Sequence, residues 1–123
     1  MVLVDTSIWI ALYRKQSAET GEKIWMLAAK NEAAVAGQIW VEFLGGFRNR
    51  SVRSAYEEKF RAYPFLETTR TAFELAAGLL AAHPRLGAGD AIIAATAISS
   101  DAALWTTDRD FHELVSDGLR LFS

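Results

Sequence analysis

Three short stretches of the chain are apolar at every position: Val2 to Val4, Ala33 to Ala36, and Ala102 to Trp105. A strand with one wet face alternates apolar and polar residues, so a strand without alternation is covered on both sides. Two-sided burial is the condition of a parallel sheet with helices on its faces, and the intervening segments have helical periodicity. Thr6 or Ser7 is placed to cap a helix reaching about Tyr13. Ala18 to Lys30 repeats Ile24, Leu27 and Ala28 at helical spacing, and Gln38 to about Phe47 puts Trp40, Leu44 and Phe47 on one stripe. Residues 48–63 predict a polar helix or helix pair with Tyr56, Phe60 and Tyr63 as its apolar side. Pro64 ends it before a brief strand at Phe65-Leu66. Thr71 to Ala82 predicts a helix, Pro84 to Gly89 a loop, Asp90 to Ser100 an alanine-rich helix, and Leu119 to Phe122 a last strand. The expectation is an α/β fold, residues 1–123 forming one domain around a mostly parallel sheet.

Composition narrows the chemistry. Among 123 residues there is no cysteine, which removes disulfides, thiolate nucleophiles and zinc-thiolate sites and fits a reducing, cytoplasmic compartment. No apolar run is long enough to span a bilayer. The apolar N-terminus carries Asp5 and lacks both a basic flank and a small-residue cleavage site, so it does not read as a secretory leader. A net charge of -2 means that any contact with nucleic acid has to be local.

The acids are placed unevenly. Asp5 ends the first predicted strand, and Glu42 lies one turn into the helix after the second. Asp90 opens the alanine-rich helix, Asp108 follows "ALWTT", and Asp110 comes two residues later. In an open parallel sheet, ligands bind outside the carboxyl ends of the strands. Each acid taken singly also fits a bland role: helix cap, dipole partner, solvated helix residue or turn former. Recurrence at one edge is the feature that single roles leave unexplained. Two carboxylates ~5 Å apart repel by roughly 3 kcal/mol at an effective dielectric near 20. A cluster of four therefore needs protonation or a cation. Hard divalent ions such as Mg²⁺ or Mn²⁺ take carboxylates and water as ligands, and one or two of them can promote phosphodiester cleavage.

With these elements in order, the chain resembles the PIN-domain nucleases. The likeness rests on "LVDTSIWI", Glu42 in its helix, "GAGDAIIAATAI" and "LWTTDRDF", and it is closest to VapC-type toxins of prokaryotic toxin-antitoxin systems. The resemblance implies a PIN-like three-layer sandwich with a five-stranded sheet in the order 3-2-1-4-5. It also implies a Mg²⁺- or Mn²⁺-dependent endoribonuclease that cleaves RNA by metal-activated water. Such proteins are usually homodimers held in check by a small VapB-type antitoxin, with no membrane involvement. By motif, Asp5, Glu42, Asp90 and Asp108 match the four acids, and Asp110 an additional one. Asp5 and Asp90 are then the principal metal ligands, and Glu42 and Asp108 complete the set. Thr6 and Ser7 match hydroxyl positions beside the first acid and Thr107 a polar neighbour of the fourth, placed to hydrogen-bond carboxylates or waters or to serve as helix caps and strand-end polar groups.

Outside the motifs, Arg48, Arg50 and Arg53 form a basic stretch with two readings, an RNA-backbone clamp or a solvated helix face partnered by Glu57 and Glu58. Arg14 and Lys15 are a second basic pair, and Trp9, Trp40 and Phe47 fit either base stacking or core packing. His83 and His112 lack ligand spacing. An aspartyl-phosphate hydrolase of the haloacid-dehalogenase type needs a second acid two residues after the first, where this chain has Ser7. A receiver-type phosphoacceptor needs a late strand-end lysine, and none follows Asp108. A Walker loop is absent. The remaining alternative is a non-catalytic PIN-like module that binds RNA or protein.

Overall fold

Val2–Val4 form β1, with every side chain buried. The computed structural model describes all 123 residues. β1 lies between β2 (Ala33–Ala36) on one side and β4 (Ala103–Trp105) on the other, and β3 (Phe65–Leu66) adds to the outer edge of β2. All the pairings are parallel and the strand order is β3-β2-β1-β4. The fully apolar runs thus occupy the sheet centre, where both faces are covered.

The expected fifth strand differs. Leu119 to Phe122 runs beside β4 but makes one parallel bridge, Leu104 to Leu121. Two hydrogen bonds frame it: Leu104 N–H donates to the Arg120 carbonyl, and Phe122 N–H to the Leu104 carbonyl, both at 2.8 Å. The chain reaches this edge only after the left-handed turn at Gly118 (φ 105°), so a single residue comes into register. The segment takes the place of a fifth strand without the length of one.

Helices cover the sheet: α1 (Thr6–Tyr13), α2 (Ala18–Ala29), α3 (Gly37–Leu44), α4 (Arg50–Arg61), α5 (Arg70–Ala82) and α6 (Ala88–Ser99). A 3₁₀ segment, Arg109–Asp117, follows β4. Side-chain oxygens of Ser17, Asn49 and Thr69 accept from the N–H of Thr20, Val52 and Ala72, which starts α2, α4 and α5. Helix α3 stops earlier than the apolar stripe predicts. A Cβ on Gly45 would lie 2.5 Å from the Val41 carbonyl oxygen, so the close turn that ends α3 admits only glycine. Helix α6 starts at Ala88, two residues before the expected start, which puts Asp90 in its first turn. Its alanines Ala91, Ala94, Ala95 and Ala97 are buried and let neighbouring elements approach closely.

A buried cluster joins Leu3, Val4, Ile39, Ile93 and Leu104 from the sheet and its covering helices. Trp9 packs against Phe43, Phe60 and Tyr63 at one end of it. Its indole Nε1–H also donates to the Val4 carbonyl at 3.0 Å, tying α1 to the strand that carries Asp5. Complete burial of Phe60 alone stabilises the fold by about 1.5–3 kcal/mol. No helix is long and apolar enough to cross a membrane.

Candidate active site

The carboxyl end of β1 delivers Asp5 into the sheet edge at 5 % exposure. Its backbone N–H donates to the Trp105 carbonyl at 2.9 Å, which holds the ends of β1 and β4 together. The side chain would be costly to bury without donors, and it has them. Oδ2 accepts from Ser7 Oγ at 2.7 Å and from Thr106 Oγ1 at 2.8 Å, with a longer contact from Ser7 N–H at 3.4 Å. These bonds satisfy Oδ2 and leave Oδ1 with no donor from the chain.

Beyond β4, the Thr106 hydroxyl accepts from Asp108 N–H at 3.0 Å, and Asp108 Oδ1 accepts from Asp110 N–H at 2.9 Å. Asp108 caps the 3₁₀ segment and Asp110 sits in its first turn. Asp90 reaches the same place from α6. One carboxylate oxygen each from Asp90, Asp108 and Asp110 lies within 4.8 Å of the other two. Glu42 comes from α3, its Oε1 accepting from Thr6 Oγ1 at 2.7 Å and its Oε2 from Gln38 Nε2 at 2.8 Å.

Desolvation raises the Asp90 carboxyl from its ordinary 3.8 to about 6, followed by repulsion from Asp108, Asp5, Glu42 and Asp110. All five sequence-selected acids therefore share one electrostatic field, although they come from four parts of the chain. The tightest group is Asp90, Asp108 and Asp110, and Asp5 and Glu42 stand outside it. The donors in that group are all carboxylate oxygens, with no histidine or cysteine among them. Such a set fits a hard, oxygen-preferring divalent cation, whose charge would relieve the repulsion on Asp90.

A protein-family profile described as PIN domain matches residues 2–116. The chain belongs to the PIN domain family. Ribonuclease VapC10 of Mycobacterium tuberculosis is 32% identical over 111 residues, covering 86% of this chain and 81% of that protein. Among solved structures, DNA-bound VapBC from Salmonella typhimurium superposes with a TM-score of 0.82 at 18% identity, covering 98% of this chain and 96% of that one. A toxin-antitoxin complex from Klebsiella pneumoniae gives 0.76 at 23% identity, with 90% of each chain covered. The PIN fold seen here, a parallel sheet flanked by helices, is thus shared with these proteins.

Two polar residues of this PIN domain escaped the sequence reading. The hydroxyl beside Asp5 belongs to Thr106, whereas Thr107 contributes only its backbone N–H, to Ser7 Oγ at 3.1 Å. The β1–β4 register explains the difference. Val4 pairs with Trp105, so the next residues in line are Asp5 and Thr106. Gln38 is the second, and its signal was the i, i+4 spacing to Glu42 on one helix face. Gly89 adds a steric condition, since a Cβ there would lie 2.8 Å from both Gln38 Nε2 and Glu42 Oε2.

The basic stretch is divided in its contacts. Arg53 Nη1 donates to the Phe47 carbonyl at 2.9 Å, while Arg48 and Arg50 are exposed around the start of α4. Farther along, Arg61 pairs with Glu57 and Glu58, the solvated-face arrangement. Trp9 and Trp40 pack into the aromatic cluster around Phe60. His83 lies between Glu113 and Asp117, away from the acids, and His112 is exposed.

Proposed function

We propose that this PIN-domain chain is a metal-dependent endoribonuclease and the toxin of a toxin-antitoxin pair. The observation that carries the reading is the convergence of Asp5, Glu42, Asp90, Asp108 and Asp110 on one carboxylate, with Asp90 raised to about 6. A purely structural set of acids gains nothing from such crowding, whereas a bound cation would offset it. Asp90, Asp108 and Asp110 are the residues that would hold the ion, with Asp5 and Glu42 completing the negative rim. A bound Mg²⁺ or Mn²⁺ supplies charge neutralisation and polarises water for attack on a phosphodiester.

The remaining work falls to the chain. Ser7 and Thr106 hold the Asp5 carboxylate in place. Thr6 and Gln38 hold both oxygens of Glu42, which orients it at the rim as an acceptor for a water proton. Arg48 and Arg50 carry positive charge suited to the RNA backbone. The relative named a ribonuclease supports the activity, and the structural relatives solved as VapBC or toxin-antitoxin complexes support a VapB-type partner. We place the protein in the cytoplasm as a homodimer, for which the exposed Val41, Phe65 and Phe73 offer apolar surface.

Purified protein incubated with single-stranded and structured RNAs, with Mg²⁺, Mn²⁺ or chelator, tests this reading. Cleavage that requires metal and disappears in both Asp5→Asn and Asp90→Asn is the expected result. Cleavage that survives either substitution unchanged, or RNA binding with no cleavage under any metal, refutes it in favour of contamination or a binding module.

A further inference from the structure

Three of the acids reach their shared place on two arms of the chain. Asp90 stands in the first turn of α6, while Asp108 and Asp110 open the 3₁₀ segment Arg109–Asp117. One carboxylate oxygen from each lies within 4.8 Å of the others, and repulsion from Asp108 and Asp110 weighs on Asp90. Like charges at that spacing push the arms apart, so the fold has to hold them together before a cation arrives.

The second arm is the less secure of the two. A 3₁₀ run of nine residues is long for a helix whose hydrogen bonds are poorly aligned. Phe111 and Leu114 anchor its inner face in the core, but Val115, Ser116 and Asp117 at its end are exposed. The side-chain hydrogen bonds and ion pairs that reach this segment from another element all come from one residue, His83. Its Nε2 lies 2.8 Å from Asp117 Oδ2 and its Nδ1 3.4 Å from Glu113 Oε1. A ring with a carboxylate at each nitrogen donates to both only as the imidazolium. The His83 side chain is 20% exposed, so these contacts are partly shielded from solvent and salt.

The backbone ties the same residue to the first arm. His83 N–H donates to the Leu79 carbonyl at the end of α5, and the His83 carbonyl accepts from Leu86 N–H, both at 2.9 Å. Leu86 is buried, and α6 begins two residues later at Ala88.

We infer that His83 is a positioning residue for the metal site. It straps the 3₁₀ segment to the loop that leads into α6, and so holds Asp108 and Asp110 at a fixed spacing from Asp90. The inference rests on the nuclease reading and adds to it a residue that touches none of the acids holding the ion.

Mn²⁺ titration of the full chain without RNA, followed by electron paramagnetic resonance, reads the ligand set; hydrogen exchange of the metal-free chain reads the strap. His83→Phe keeps a ring of similar size and removes both donors. It weakens Mn²⁺ binding about tenfold, the lower end of the loss when residues that orient metal ligands are replaced. Removing a basic side chain would by charge alone favour the cation, so weaker binding reports geometry. The amides of Gly118 and Leu119, which donate to the Val115 and Leu114 carbonyls, exchange faster in this variant, while amides inside α6 do not change. His83→Gln, whose Nε2 still reaches Asp117, recovers most of both readouts. Asp117→Ala breaks the same bond from the exposed side without disturbing α5, and weakens Mn²⁺ binding as well. Unchanged Mn²⁺ affinity in folded His83→Phe or in Asp117→Ala overturns the inference alone. Faster exchange throughout the chain with no recovery in His83→Gln also overturns it, assigning His83 to general stability. If the wild-type chain binds no Mn²⁺, the nuclease reading fails and the inference falls with it.

Discussion

Neutralising Asp90 makes the metal-free protein more stable and less active at once. Its carboxyl is raised from 3.8 to about 6, first by desolvation and then by the surrounding acids. Taken at full value that displacement is about 3 kcal/mol against the ionised form. Asp90 still sees solvent, which screens the effect to about 1–2 kcal/mol. The folded value lies above the unfolded one, so this group's contribution to stability is full below pH 3.8 and is lost as the pH rises through about 6. In chelator at about pH 8, Asp90→Asn removes that deficit and raises Tm by about 3–10 °C in a chain of this length. Near pH 4 or below, where wild-type Asp90 is already protonated, the advantage shrinks toward zero. Adding Mg²⁺ or Mn²⁺ reverses the order at high pH, because only the wild type keeps the full carboxylate set. Calorimetry across pH, with and without metal, measures all three points. An Asp90→Asn variant no more stable than wild type in chelator at about pH 8 refutes the claim that the fold disfavours the ionised Asp90.

Other substitutions separate the contacts around the site. Thr106→Val removes both the donor to Asp5 and the acceptor for Asp108 N–H, and is expected to cost about 1–3 kcal/mol in urea melts along with cleavage rate. Thr107→Val, whose hydroxyl touches neither acid, stays within about 0.5 kcal/mol of wild type in the same melts. Gly89→Ala puts a methyl 2.8 Å from the ends of Gln38 and Glu42, and those flexible side chains move aside. Single-turnover cleavage should therefore fall while Tm changes little. Gly45→Ala meets backbone instead, 2.5 Å from the Val41 carbonyl oxygen, and loses about 1–3 kcal/mol by denaturant titration.

Local chemistry was legible in the sequence where it did not depend on register. Val2 to Val4 and Ala33 to Ala36 announce covered strands because no residue in them tolerates a wet face. Asp5 and Asp108 stand out because a charge directly after such a strand, or after one and its polar turn, needs a reason. The pairing of Thr106 with Asp5 required knowing which residue of β4 lies opposite Val4, and two distant strands set that between them. The shrinkage of the last strand to the Leu121 bridge has a similar origin, in the geometry of the Gly118 turn. Gly45 in turn cut α3 short, although the apolar stripe ran on to Phe47.

The link between Asp5 and the Thr106–Asp108 turn joins the first strand to one translated almost a full chain later. A polypeptide still emerging from the ribosome holds Asp5 long before its counterparts exist, and β1 lacks its β4 neighbour until Trp105 has cleared the exit tunnel. Such a nascent chain has not yet brought Asp5 together with Asp90, Asp108 and Asp110.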